Sequence, residues 1–250
     1  MVDHFATLDA LTAAAKVYAL SDAEVGQLRA VVPSRPSIDV LPNGIGTPDP
    51  EPLPSVCELR EFLFMARLHP RKRAPLFVAA AASLLDHGCD ATFSVVGPDE
   101  GDGPAVQAAV ADYTQRLGAS QANLSWSGPI APERTTDRLK RAYVYVLPSV
   151  EEPFPMSVIE AMAAGLPVIV TESNGLAGVV RQYGCGLVVT DDSAEALTEA
   201  MQRLHDDVAL AEQMGRRSLV AVRERFSIES VADKLERDYR EVSLRIDRRD

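Results

Sequence analysis

Positive charge is in short supply in this chain. Its 25 Lys and Arg face 36 Asp and Glu, leaving a net charge of −11 over 250 residues and a pI near 4.9. Binding a polyphosphate backbone requires a basic footprint, so a nucleic-acid partner is excluded. Cysteine is also scarce. Cys57, Cys89 and Cys185 are odd in number and far apart, which argues against a disulfide framework and makes a reducing cytoplasm the expected compartment. The four histidines, His4, His69, His87 and His205, fall in no ligand motif, and no metal spacing occurs. No apolar run reaches the ~20 residues of a bilayer span, and no secretory signal opens the chain. Membrane spanning is therefore excluded, while peripheral contact stays open.

The sequence does have enough apolar residues for a real core, at 46%, arranged as alternating strands and helices. Before residue 47 the pattern predicts a helix over 7–15, a strand over 17–20, a helix over 22–31 capped by Ser21 with Glu24 three residues on, and a strand over 38–41 ending at Pro42-Asn43-Gly44. Pro48, Pro50, Pro52 and Pro54 then fall within nine residues, which forbids regular structure and predicts an extended linker over 47–57. Beyond it, six short, wholly apolar strands are expected at 62–66, 91–96, 124–127, 144–147, 167–171 and 186–189, separated by helices. Residues 208–246 read as helical and charged. Short apolar strands alternating with helices imply a doubly wound α/β domain, a parallel six-stranded sheet covered on both faces with helices at its C-terminal end. The expected organisation is a remnant of a preceding domain at 1–46, the linker at 47–57, a complete Rossmann-like domain at 58–225 and a C-terminal helix at 226–250.

Ligands of such a sheet lie beyond the carboxyl ends of its strands, and four segments fall there. Arg67 and Lys72, five residues apart on a loop stiffened by Pro70, can clamp a diphosphate, Arg as a fork and Lys as a point charge; a solvated basic loop is the alternative. Gly97-Pro98-Asp99-Glu100-Gly101-Asp102-Gly103 has the place of a phosphate loop but carries three acids, so a turn and helix cap is the better reading. Gly128, Pro129 and Ile130 follow a strand and could let backbone approach a planar base, or form an ordinary turn. The most informative stretch is Glu151–Val170. Its helix starts near Met156–Ser157, offering N–H groups to a phosphate, and Glu152 and Glu160 stand eight residues apart. A carboxylate in so apolar a run is costly to bury without a polar partner. Either Glu160 takes the hydroxyls of a ribose and Glu152 those of a sugar, or Glu160 pairs with a basic residue and Glu151 and Glu152 are surface charge. Together the four segments supply what a nucleoside diphosphate sugar needs.

Glu152-x7-Glu160 with Ala161-Met162-Ala163-Ala164-Gly165-Leu166-Pro167-Val168, Ala66-Arg67-Leu68…Lys72, Leu41-Pro42-Asn43-Gly44, Gly97, Gly128 and Val146-Leu147-Pro148-Ser149 resemble the retaining, nucleotide-sugar-dependent glycosyltransferases of GT-B architecture, family 4. The resemblance implies hexosyl transfer from a UDP or GDP sugar, with no metal and no resident cofactor, the nucleotide sugar being the substrate. It assigns the donor diphosphate to Arg67 and Lys72 and the donor ribose to Glu160. Glu152 becomes the catalytic residue at the donor sugar. Phosphate or sugar falls to Phe154, Pro155, Met156 and Ser157, and the base to Gly128, Pro129 and Ile130. Departures are Ala66 where the family has Gly, Pro155 where Gly is common, and Gly46 where Asp is frequent. The resemblance also implies an acceptor-binding domain, in cis or trans, of which only the elements over 7–41 are represented here. A non-catalytic nucleotide-sugar-binding module, or the donor subunit of a split transferase, is the competing reading. Val231, Leu235, Tyr239 and Val242 fall on one stripe of the last helix, so homodimerisation through that stripe is expected.

Overall fold

A computed structural model of the chain describes residues 4–32, 37–46, 60–117 and 123–246. The proline-rich segment expected at 47–57 lies outside the described residues. The chain divides into two compact units, Met1–Thr47 with Arg223–Asp250, and Pro48–Val222.

In the first unit, α1 (His4–Ala13), β1 (Lys16–Ala19), α2 (Asp22–Val31) and β2 (Ser37–Val40) come from the start of the chain. β1 and β2 pair in parallel. Ser21 caps α2 by accepting from the Glu24 N–H at 3.3 Å, and Glu24 reaches back to the Leu20 N–H at 2.7 Å, one residue earlier than a regular capping box. The same unit contains α10 (Ile228–Ile246), anchored where buried Asp238 accepts from Lys16 at 2.8 Å. On the expected apolar stripe Val231, Leu235 and Val242 are half-buried and Tyr239 is exposed. The helical run expected over 208–246 is interrupted. A π-helical turn at Val222–Phe226 ends α9 (Val208–Ala221), and Ser227 leaves helical pairing to bridge Ile45 and cap α10 through the Ser230 N–H at 3.0 Å.

The second unit is built on six parallel strands: β3 (Glu61–Met65), β4 (Thr92–Val96), β5 (Leu124–Trp126), β6 (Val144–Leu147), β7 (Val168–Thr171) and β8 (Gly186–Val189). Their order is β5-β4-β3-β6-β7-β8. The chain winds outward from β3 in one direction and from β6 in the other, so the topological switch point lies between β3 and β6. Helices α3 (Ala74–Asp86), α4 (Gly103–Leu117), α5 (Thr135–Lys140), α6 (Met156–Ala163), α7 (Ala177–Tyr183), α8 (Ala194–Asp206) and α9 cover the faces. Phe62, Phe64, Leu63, Val144, Tyr145, Val146 and Leu147 are fully buried. Strands buried on both sides read as continuous apolar runs rather than alternating ones, and each large buried apolar side chain contributes ~1.5–3 kcal/mol. This is the α/β architecture read from the sequence, with strand ends within two residues of those expected.

Candidate functional site

The four loops singled out in the sequence follow β3, β4, β5 and β6, which stand side by side, so all four emerge along one edge of the sheet.

The loop after β3 is folded by its own residues. The His69 ring accepts from the Arg71 N–H at 3.1 Å and opens a 3₁₀ turn, Pro70–Lys72. Leu68 donates its N–H to Pro98 O at 2.8 Å and accepts from the Asp102 N–H at 2.9 Å, which laces this loop to the one after β4. The turn directs Lys72 inward, where its ammonium pairs with Glu152; the two side chains are 13% and 8% exposed. Arg71 stands 3.9 Å from the same carboxylate. Arg67 behaves differently. Its guanidinium is 62% exposed and donates to both carboxylate oxygens of Glu100 at 2.7 Å. Lys72 and Glu152 are thus brought together, while Arg67 is turned toward the loop after β4.

In that second loop Asp99 accepts from the N–H groups of Gly101 and Gly103 at 2.8 Å each. The start of α4 is therefore satisfied by a carboxylate, as a capping turn requires. Gly97 has φ +146°, and a Cβ there would stand 1.8 Å from Ala66 O. Only glycine lets the two loops approach this closely. Gly97 in turn donates its N–H to Gly128 O at 2.9 Å and accepts from the Trp126 indole at 3.0 Å, which ties the turn after β5 to the same edge. Pro129 is exposed and Ile130 half-buried.

The loop after β6 holds the two carboxylates. Val150 donates to Arg71 O at 2.9 Å, and Glu151, at φ +49°, donates to Ser173 Oγ at 3.0 Å. Glu152 O accepts from the Gly175 N–H at 2.7 Å. A buried polar cluster stands behind it. Asn174 donates to Ser149 Oγ at 3.2 Å and accepts from the Leu176 N–H at 3.0 Å, and Thr171 donates to Ser149 O. Phe154 is half-buried, and buried Pro155 takes the N-cap position of α6, where a missing N–H costs nothing. Met156 and Ser157 form the first turn. One turn on, half-buried Glu160 carries no hydrogen bond or ion pair on its carboxylate among the described residues. Burial alone pushes its carboxyl above the usual range. Tyr145, fully inside, is pushed up chiefly by burial; its hydrogen bond with Ser157 pulls the other way, and the nearby charges of Glu160 and Glu152 add to the rise, so its hydroxyl stays neutral.

Tyr145, Glu100 and the Ser149–Thr171–Asn174 cluster were not legible as site residues. Each is joined to its partner across 12 to 80 residues of sequence, and no local pattern marks such pairs. Among the described residues no group of three His, Cys, Asp or Glu side chains is placed to hold a metal ion, and no helix is long and apolar enough to cross a membrane.

A parallel sheet with this strand order places its charged loops, and the Glu152–Glu160 segment entering α6, at the switch point where doubly wound α/β domains take their ligands. Residues 49–219 match the family Glycosyl transferases group 1, and the chain belongs to that family. Among curated relatives it is 33% identical over 183 residues to a D-inositol 3-phosphate glycosyltransferase of Rhodococcus jostii (strain RHA1), covering 71% of this chain and 39% of that protein. It is 26% identical over 184 residues to the alpha-D-kanosaminyltransferase of Streptomyces kanamyceticus, covering 73% and 46%. The chain thus spans less than half the length of these relatives. Among solved structures it superimposes on sucrose-phosphate synthase from Thermosynechococcus elongatus with TM-score 0.75 and 26% identity, over 96% of this chain and 61% of that one. Anabaena HepE in complex with UDP and glucose shares the fold at TM-score 0.74 and 18% identity, over 94% and 66%. The α/β sheet is that of GT-B glycosyltransferases.

Proposed function

We propose that residues 58–225 are the donor-binding domain of a retaining, family 4 glycosyltransferase, which holds a nucleoside diphosphate sugar at the switch point between β3 and β6. The observation that carries the reading is the contrast between Glu160 and Glu152 at that point. A half-buried carboxylate without a partner is a costly arrangement unless a ligand completes it. Glu160 fits the paired hydroxyls of a ribose. Arg67 and Lys72 carry the charge that a departing diphosphate requires, assisted by the N-terminus of α6. Glu152, held near Lys72, meets the donor sugar as its anomeric carbon–oxygen bond breaks and an acceptor oxygen replaces the diphosphate, the acceptor's hydroxyl proton passing to the departing phosphate oxygen. Base contacts fall to the turn at Gly128, Pro129 and Ile130, and phosphate or sugar contacts to the segment Phe154–Ser157. Acceptor binding is assigned to a further domain, in cis or trans, consistent with the partial coverage of the relatives.

A thermal-shift screen of UDP, GDP, ADP and their sugars tests this reading, followed by calorimetry with the best of them. One nucleoside diphosphate is expected to bind, and Arg67→Ala to weaken it about tenfold while leaving stability within ~0.5 kcal/mol, because the Arg67–Glu100 pair is exposed. Equal affinity of the wild type and Arg67→Ala would remove Arg67 from the site. Absence of binding by any of the six ligands would sink the assignment.

A further inference from the structure

The strands on either side of the switch point part company. β3 pairs with β4 along all five of its residues, Glu61 to Met65, but with β6 only at Phe62–Val144 and Leu63–Tyr145. Beyond Leu63 the β3–β6 ladder stops, and the two chains run on into the loops that carry Arg67 and Lys72 on one side and Glu152 and α6 on the other. One side chain crosses where the ladder ends. The Tyr145 hydroxyl lies 2.8 Å from Met65 O, the last carbonyl of β3, and 2.8 Å from Ser157 Oγ in the first turn of α6. It has one proton, and a carbonyl can only accept. The Tyr145 proton therefore goes to Met65 O, and the Ser157 hydroxyl donates to the Tyr145 oxygen. The ring and its bond to Met65 O are fully buried, so water does not compete for that bond, and missing it leaves an unsatisfied buried group.

We propose that Tyr145 is a positioning residue: a strut that sets the width of the crevice between the β3 loop and the N-terminus of α6, and so the spacing of the groups that grip the phosphates. This rests on the donor-site reading above. Met65 directly precedes the loop of Arg67 and Lys72, and Ser157 belongs to the opposite wall. The base-side turn at Gly128 follows β5, two strands from β3. The strut consequently governs the phosphate end of the ligand and not the base end. Ser157, with its proton committed to Tyr145, presents lone pairs to the crevice and accepts from a hydroxyl rather than donating to a phosphate.

The test is Y145F, which keeps the ring and deletes the strut, compared with the wild-type chain by calorimetry. The probes are UDP, GDP and ADP and their parent nucleosides. The expected result is a loss of about tenfold in affinity for the diphosphate that the wild type binds, the scale of one buried hydrogen-bonded link, with the parent nucleoside changed less than about twofold. Diphosphate affinity within twofold of wild type in folded Y145F overturns the proposal, and so does an equal loss for nucleoside and diphosphate, which general damage to the fold would produce. A wild type that binds none of the probes removes the donor site itself and the strut with it. Should Y145F fail to fold, the ¹⁹F resonance of Tyr145 in the 3-fluorotyrosine-labelled wild type carries the test. It is expected to shift on adding the diphosphate and not the nucleoside, and an unmoved resonance overturns the proposal.

Discussion

The two ends of strand β3 treat charge in opposite ways. At its start Glu61 is saturated. Arg138 grips it in a two-pronged bond, 2.7 and 2.6 Å, and Ser94 adds a hydroxyl at 2.5 Å. At its finish the charges are left incompletely matched: Lys72 meets Glu152, Arg67 leans outward on Glu100, and Glu160 has no polar partner among the described residues. A saturated pair has nothing left to offer a ligand and serves the fold. An unsaturated set costs the fold some stability and keeps its hydrogen-bonding capacity for something that arrives. The same strand therefore separates a structural edge of the sheet from the edge proposed to bind the nucleotide sugar.

The comparison can be broken in three ways. The largest effect is expected at Gly175, whose backbone clamps Glu152. A Cβ there would stand 1.8 Å from Pro153 O, so Gly175→Ala should cost ~3 kcal/mol in urea unfolding and should also reduce binding of the nucleotide sugar, because the Glu152 loop must move. A mutant of full stability would show that the loop yields freely and is not held. Next comes Glu61→Ala, which strands Arg138 and should cost ~2 kcal/mol while leaving nucleotide affinity unchanged within experimental error. A matching loss of affinity would erase the distinction between the two ends.

The smallest effect on the fold is expected at Glu160→Gln. The Glu160 carboxyl titrates above its ordinary 4.5 because burial disfavours the charge. The folded state then holds this proton more tightly than the unfolded state, so the wild type loses stability, relative to the Gln variant, as pH rises from 4.5 through the raised value. Unfolding free energies of the two proteins from urea titration should converge at low pH and separate by under ~1 kcal/mol at pH 7, with the variant the more stable. Nucleotide affinity should nevertheless fall in the variant. A wild type that is the more stable at pH 7 would mean that Glu160 has found a partner and is structural.

Much of the architecture was readable along the chain, since its signals are local. Six apolar runs such as Val144–Leu147, punctuated by Gly88 and Gly165 and by a cap at Ser193, specify strands and helices from near neighbours alone. The pairing of Lys72 with Glu152 across 80 residues and the diversion of Arg67 to Glu100 were not readable, because each depends on which loops the sheet brings together; nor was the interruption of the C-terminal helical run at Val222–Phe226, next to which Ser227 bridges Ile45, far away in sequence.

By itself the order of residues determined the elements, their alternation and the positions of the charged and glycine-bearing loops between them. Those follow from backbone preference and apolar periodicity, which act over a few residues. The tertiary structure alone decided which charges neutralise one another, which carboxylate stays without a partner, and that a tyrosine from the middle of β6 spans the gap beside β3. These depend on strand order and on distances of a few ångströms, quantities that exist only once the sheet has assembled.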